Sequence, residues 1–232
     1  MKNQKKKKSA SSNSLGLQPL SLHQSHYIEC IDDYTCTIAD GLAGSGKTYI
    51  AASKAAQMLI DNKDSRVILT RSARSDSPTI GFLPGELADK MAPWVTPFTE
   101  VMKKHLKGVY DKYEKEGRIE VVPFEFIQGR SFSDCFIILD EAQHTEPFEI
   151  ETFLKRVGER TKVVICGDVH QARNGERSGL AHLIKLLDNT FVEEFKNNIG
   201  YVKFDNPDDI IRSEFCREIT KGYDRLRTAS GV

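Results

Sequence analysis

The chain has 232 residues, 28% charged and 39% hydrophobic, and its 33 Lys and Arg balance its 33 Asp and Glu. That length can enclose one sizeable core, and zero net charge excludes a basic field over the whole molecule, so any nucleic-acid contact has to come from a local patch. No stretch stays apolar for the roughly 20 residues that a membrane-spanning helix needs.

In chain order, Met1 to Leu20 carries a lysine run, Lys5 to Lys8, followed by serine and asparagine with almost no apolar residues. Such a segment buries too little to fold and is expected to be a disordered tail, leaving residues 21–232 as a single domain. The lysines lead into no apolar h-region, which argues against a secretory signal and for a cytoplasmic protein. An apolar run at Cys36 to Ala39 reads as a buried strand, and Thr48 to Ile60 reads as a helix. Between them, Gly41-Leu42-Ala43-Gly44-Ser45-Gly46-Lys47-Thr48 completes the pattern G-x-x-x-x-G-K-[ST]. Glycines let successive N–H groups and the helix N-terminus converge on phosphate oxygens, where the helix dipole favours negative charge. Lys47 then reaches the terminal phosphates and the Thr48 hydroxyl ligates Mg. Glycine-rich turns also join strands to helices without any ligand, but the full eight-residue pattern in this context implies an NTP site.

Further apolar runs follow at Val67 to Thr70, Ile119 to Val122, Phe136 to Leu139, Val163 to Cys166 and Tyr201 to Phe204. Helical stretches at 84–107, 147–157, 179–187 and 207–227 separate or follow them. The alternation predicts an α/β fold, a doubly wound and mostly parallel sheet, with ligands at the carboxyl ends of the strands. Five cysteines without a C-x-x-C pair, three of them in strand-like runs, read as reduced core thiols. The histidines have no ligand spacing that supports zinc, and Mg is the metal expected.

Two strand ends carry polar groups suited to chemistry. After Phe136-Ile137-Ile138-Leu139 the chain turns to Asp140-Glu141-Ala142-Gln143. Two acids there are costly unless they address a cation or a water: Asp140 is expected to hold Mg, and Glu141 to polarise the water that attacks the terminal phosphate. An acid pair after a strand is also a common helix cap, so the phosphate loop is what gives it catalytic meaning. After Val163 to Cys166 comes Gly167-Asp168-Val169-His170-Gln171, where Asp168 can organise the loop and Gln171 can sense the terminal phosphate or the attacking water. A plain Gly-Asp turn is the competing reading.

These segments, together with Ile68-Leu69-Thr70-Arg71, Gly81-Phe82-Leu83-Pro84-Gly85, Gln128-Gly129-Arg130 and Ser178-Gly179-Leu180, resemble the PhoH family of P-loop ATPases. The core of that family is similar to the RecA-like motor domain of helicases. The resemblance runs from about Gln24 to the C-terminal helix. It implies that Gln24, seventeen residues before Gly41, reads adenine, so ATP is the expected nucleotide. Tyr27 is read as a core tyrosine rather than a base-stacking one. The chain departs from the family at Ser72, where a proline is usual, at Ser75, where an acid is usual, and in a short 172–177 segment. It looks like an ATPase core standing alone, similar to phage-encoded members, for which the compartment would be a host cytoplasm.

A single lobe of this kind lacks the arginine that a second lobe supplies in two-domain helicases. For efficient hydrolysis, the resemblance therefore implies a homo-oligomer, a ring or another head-to-tail assembly, with an arginine donated in trans from Arg130, Arg177 or Arg212. Arg71 and Arg74 are expected either to touch a nucleic-acid phosphate or to lie in a solvated loop. The expected function is Mg-dependent ATP hydrolysis coupled to RNA or single-stranded DNA. A nucleotide-dependent switch or adaptor is the alternative, and the paired acids argue against a small-molecule kinase.

Overall fold

The structure, a computed structural model, describes residues 15–72, 87–127, 129–172, 177–188 and 198–230. Six strands form one sheet: β1 (Cys36–Gly41), β2 (Arg66–Arg71), β3 (Ile119–Pro123), β4 (Cys135–Asp140), β5 (Lys162–Gly167) and β6 (Ile199–Phe204). Their order is β3-β2-β4-β5-β1-β6, and every pairing is parallel. Each of the six apolar runs lies inside a strand. The four central strands are buried along nearly their whole length, as expected of parallel strands covered on both faces.

Eight helices are described: α1 (Leu22–Asp33), α2 (Lys47–Asp61), α3 (Leu87–Leu106), α4 (Tyr110–Lys115), α5 (Phe124–Ile127), α6 (Pro147–Leu154), α7 (Gly179–Asp188) and α8 (Glu214–Ser230). Alternate strand residues feed two cores. Phe136, Ile138, Val164 and Cys166 pack with α1, α2 and α3, while Ile137, Leu139, Val163 and Ile165 pack with α5, α6 and α7. The side-chain period of two in a strand thus builds a layer of helices on each face. On α2, Ala51, Ala52, Ala55 and Ala56 are fully buried, and their small side chains let the helix lie close to the sheet.

Several boundaries differ from expectation. α1 has no counterpart among the expected elements; Ser21 caps it by accepting the Gln24 N–H, and Gln24, Tyr27, Cys30 and Ile31 form its buried side. The helix expected over 207–227 begins only at Glu214. Before it, Pro207–Asp209 forms a 3-10 turn capped by the Asn206 side chain, and residues 210–213 lie outside any helix. α6 stops at Leu154, and Val157 instead bridges to Phe132. Of the expected tail, residues 1–14 lie outside the described residues, whereas Leu15 and Leu17 pack partly buried against the α1–α3 core. The Gly81-Phe82-Leu83-Pro84-Gly85 motif, Arg74, Ser75 and Gln128 also lie outside the described residues. Ser72 is buried, and its hydroxyl donates to Glu125 at 3.1 Å.

Candidate nucleotide site

β1 delivers the chain into the 42–46 loop, and α2 starts directly after Gly46. Gly41 is required by contact as well as conformation: its φ is 127°, and an added Cβ would meet the Phe204 carbonyl oxygen at 2.2 Å. Leu42 N–H donates to that same carbonyl at 2.9 Å, so the loop is fastened to the end of β6. Lys47 Nζ donates to the carbonyls of Gly41 (2.6 Å) and Leu42 (2.9 Å) and lies 3.4 Å from Ser45 Oγ. Its ammonium is thereby held over the loop, where phosphate oxygens would replace these acceptors.

From β4, Asp140 points at the start of α2, where the Thr48 hydroxyl donates to Asp140 Oδ1 at 3.4 Å. Asp140 is buried, and its pKa is pushed up to about 6 by that burial and by the neighbouring Glu141 charge, against the opposing effect of Arg71 and Lys47. A desolvated carboxylate beside a hydroxyl and a phosphate loop fits a hard divalent cation such as Mg, which takes few protein ligands and completes its shell with phosphate and water. No group of three or more His, Cys, Asp or Glu that could hold a metal ion by themselves occurs among the described residues.

Glu141 sits in the left-handed region at φ 52°, ψ 43°, unusual for a residue with a long side chain. Its carboxylate is held by a neighbour. Gln143, itself buried, donates from Nε2 to Glu141 Oε2 and accepts the Asp168 N–H at 3.2 Å. The turn after β4 is thus stapled to the turn after β5, its sheet neighbour, and Glu141 is aimed into the cleft. Sequence reasoning assigns Gln143 no role. Nothing in its spacing distinguishes it from a solvated turn residue.

The β5 turn is organised around Asp168, which caps the 169–171 turn by accepting the His170 N–H at 3.0 Å and also accepts Gln171 Nε2 at 2.8 Å. Gln171 lines the cleft, with its amide turned toward Asp168. Asp40, another residue without an expected role, accepts the Val169 N–H at 2.9 Å, and burial raises its pKa. Across the turn, Gly179 approaches so closely that a Cβ would meet Thr145 Oγ1 at 2.5 Å, which explains why a glycine opens α7 within Ser178-Gly179-Leu180.

Gln24 lies beneath the phosphate loop. Its Nε2 donates to the Ser45 carbonyl at 2.8 Å and its Oε1 accepts the Leu20 N–H at 2.8 Å. Tyr27 is fully buried, with its hydroxyl against Cys166 Sγ at 3.3 Å, as a core tyrosine.

Of Arg71, Arg130, Arg177 and Arg212, the first and last line the cleft and the other two do not. Arg71, at the end of β2, lines the cleft with its guanidinium 5.5 Å from the Trp94 ring centre and 3.9 Å from Glu141 Oε1. Arg212 crosses the phosphate loop of its own chain: a Cβ on Gly44 would lie 3.0 Å from Arg212 Cδ and Nε. Arg130 is committed to a two-pronged pair with Glu120 at 2.6 and 2.7 Å, and Arg177 is exposed and outside the cleft lining. Arg71 and Arg212 thus bring two guanidinium groups to the cleft from its own chain.

Together these groups line a cleft of about 480 Å³ at the carboxyl ends of the strands, bounded by the loop, Thr48, Tyr49, Asp140, Glu141 and Gln171. A second cleft of similar volume, near Ser131 and Arg156, lies at the opposite ends of β4 and β5.

The fold is shared with bacteriophage large terminases. The large terminase of bacteriophage HK97 superposes with a TM-score of 0.55 at 13% identity, covering 91% of this chain and 48% of that one. The large terminase of a thermophilic bacteriophage gives 0.54 at 16%, covering 90% and 50%. Sequence relatives are nearer. Protein PhoH of Escherichia coli K12 is 34% identical over 205 residues, covering 86% of this chain and 56% of that protein. The PhoH-like protein of Mycobacterium tuberculosis H37Rv is 35% identical over 212 residues, covering 90% and 58%. The chain therefore spans a little over half the length of these curated relatives. The profile of the PhoH-like proteins matches residues 16–224, which takes in the phosphate loop, both acidic and polar turns and the segment that crosses the loop; the chain belongs to the PhoH-like protein family.

Proposed function

We propose that this protein binds ATP with Mg and hydrolyses it to ADP and phosphate, coupling the cycle to RNA or single-stranded DNA. The carrying observation is Glu141, whose carboxylate is bonded by Gln143 and which lines a cleft that also contains Asp140, Thr48 and Lys47. The large terminase of the thermophilic phage, which has the same fold, is known in complex with ADP.

Lys47 and the loop N–H groups hold the phosphates. Thr48 and Asp140 are the residues that would hold Mg, which when bound neutralises charge on the phosphate oxygens. Glu141 accepts a proton from water as the water oxygen bonds to the terminal phosphorus and the bond to the ADP oxygen breaks. Gln171 turns its amide from Asp168 to the terminal phosphate. Arg71 and Arg212 bring positive charge to the cleft from the same chain, in the role that the sequence assigns to a neighbouring subunit. The family resemblance assigns adenine reading to Gln24, whose buried amide bonds Ser45 and Leu20 in this structure. Coupling to nucleic acid rests on the resemblance to helicase cores.

A nucleotide-dependent adaptor is the second reading, favoured by the exposed apolar side chains of α8. The deciding measurement is the steady-state ATPase rate with Mg, with and without single-stranded RNA and DNA, using Glu141→Gln as control. Turnover stimulated by nucleic acid and lost in the variant is expected. Slow, unstimulated turnover with tight nucleotide binding would transfer the assignment to the adaptor.

A further inference from the structure

Helix α8 presents four large apolar side chains along one face: Phe215 is 71% exposed, Ile219 47%, Tyr223 63% and Leu226 62%. Steps of four, four and three residues place them within one stripe. The remaining positions whose side chains are described are exposed or half-buried, and no α8 residue belongs to either core cluster. A 17-residue helix gains little from propensity alone, and most helical stability comes from packing an amphipathic face. Four such side chains exposed together are the signature of a covered surface rather than of a solvated one.

The charges beside the stripe say what covers it. Glu218 and Arg225 lie on the same flank, two turns apart, with the acid toward the N-terminal half and the base toward the C-terminal half. Neither forms an ion pair within its own chain among the described residues. If two copies of α8 lie antiparallel with their stripes together, Glu218 of each faces Arg225 of the other. Phe215 of each then packs near the other's Leu226, and Ile219 falls opposite Gly222, whose missing side chain admits close approach. A parallel pairing sets Glu218 against the Tyr223 side of its partner and leaves the charges unmatched.

We propose that α8 is a self-association surface that pairs antiparallel with a second copy of this chain. The pair has two-fold symmetry, unlike the head-to-tail ring expected from sequence, and does not depend on the ATPase reading. Four mostly exposed side chains per copy amount to roughly 1,000 Å² for the pair, at the small end of specific interfaces, so the association is weak and concentration-dependent.

Sedimentation equilibrium on the full chain tests this. A monomer–dimer equilibrium is expected, abolished by Phe215→Ser with Leu226→Ser. Either Glu218→Arg or Arg225→Glu should weaken it about tenfold, and the double exchange should restore it. Far-UV circular dichroism and nucleotide binding of each variant, with α8 outside both cores, show that the fold is kept. A chain monomeric at every concentration overturns the proposal and leaves the face to another occupant, such as a further segment or a lipid surface. An oligomer indifferent to the serine changes overturns it equally. A dimer lost with the serines but not rescued by the charge exchange overturns the antiparallel register.

Discussion

At the residue scale, the site separates groups that act from groups that aim them. Glu141→Gln keeps the shape of the side chain and its contact to Gln143 but removes the base. It is expected to bind nucleotide normally while kcat falls by about 10²-fold or more, whereas Lys47→Ala is expected to lose productive binding. Equal loss of binding in both variants would remove the role given to Glu141. Gln143→Ala should lower kcat about tenfold with the nucleotide Kd nearly unchanged, because the residue touches the turns after β4 and β5 rather than the phosphate loop. A Kd that weakens as much as kcat would make Gln143 a binding group instead. Gln24→Ala is expected to erode the preference for ATP over GTP. An unchanged ratio with weaker binding of both would reassign Gln24 to bracing the loop, through the contacts it makes with Ser45 and Leu20.

At the scale of elements, the segment after β6 is tied to the phosphate loop along its length. The Phe204 carbonyl accepts the Leu42 N–H, Ile211 N–H donates to the Gly44 carbonyl at 3.0 Å, and Arg212 lies across Gly44. The 3-10 turn between them is anchored to α1, where the buried Asp209 meets His23 Nδ1 at 2.6 Å. This use of the backbone explains why the helix expected over 207–227 starts late: residues that bond the loop cannot also carry a helical ladder. Ile211→Pro removes the donor to Gly44 and is expected to weaken nucleotide affinity several-fold with little change in far-UV circular dichroism. Unaltered affinity, measured by titration with a fluorescent ATP analogue, would show the fastening to be incidental.

At the scale of the whole molecule, the parallel sheet brings chain segments distant in sequence to one edge. Ligand binding at that edge should stabilise the entire fold. With nucleotide and Mg at about 100 times Kd, the gain is about 2.7 kcal/mol, or a rise in Tm on the order of 5–10 °C for a domain of this size. The rise should be absent in Lys47→Ala and reduced when Mg is chelated. A full shift in Lys47→Ala would place the nucleotide elsewhere.

The sequence by itself determined the fold class, the six strands and the composition of the phosphate loop, because buried parallel strands read as short branched apolar runs and an eight-residue loop pattern is local chemistry. Helix α1 is not legible there although its buried Gln24, Tyr27, Cys30 and Ile31 keep helical spacing, since two of the four carry polar groups and most of the remaining residues are polar. Only the tertiary structure decided which arginines reach the cleft. Arg71 and Arg212 come from segments far apart in the chain, and their placement follows from strand order and from a segment folding back over the loop. The bonds from Asp168 to Gln143 and from Val169 to Asp40 belong to the same class, because a hydrogen bond between distant segments exists only once the sheet has set those strand ends side by side.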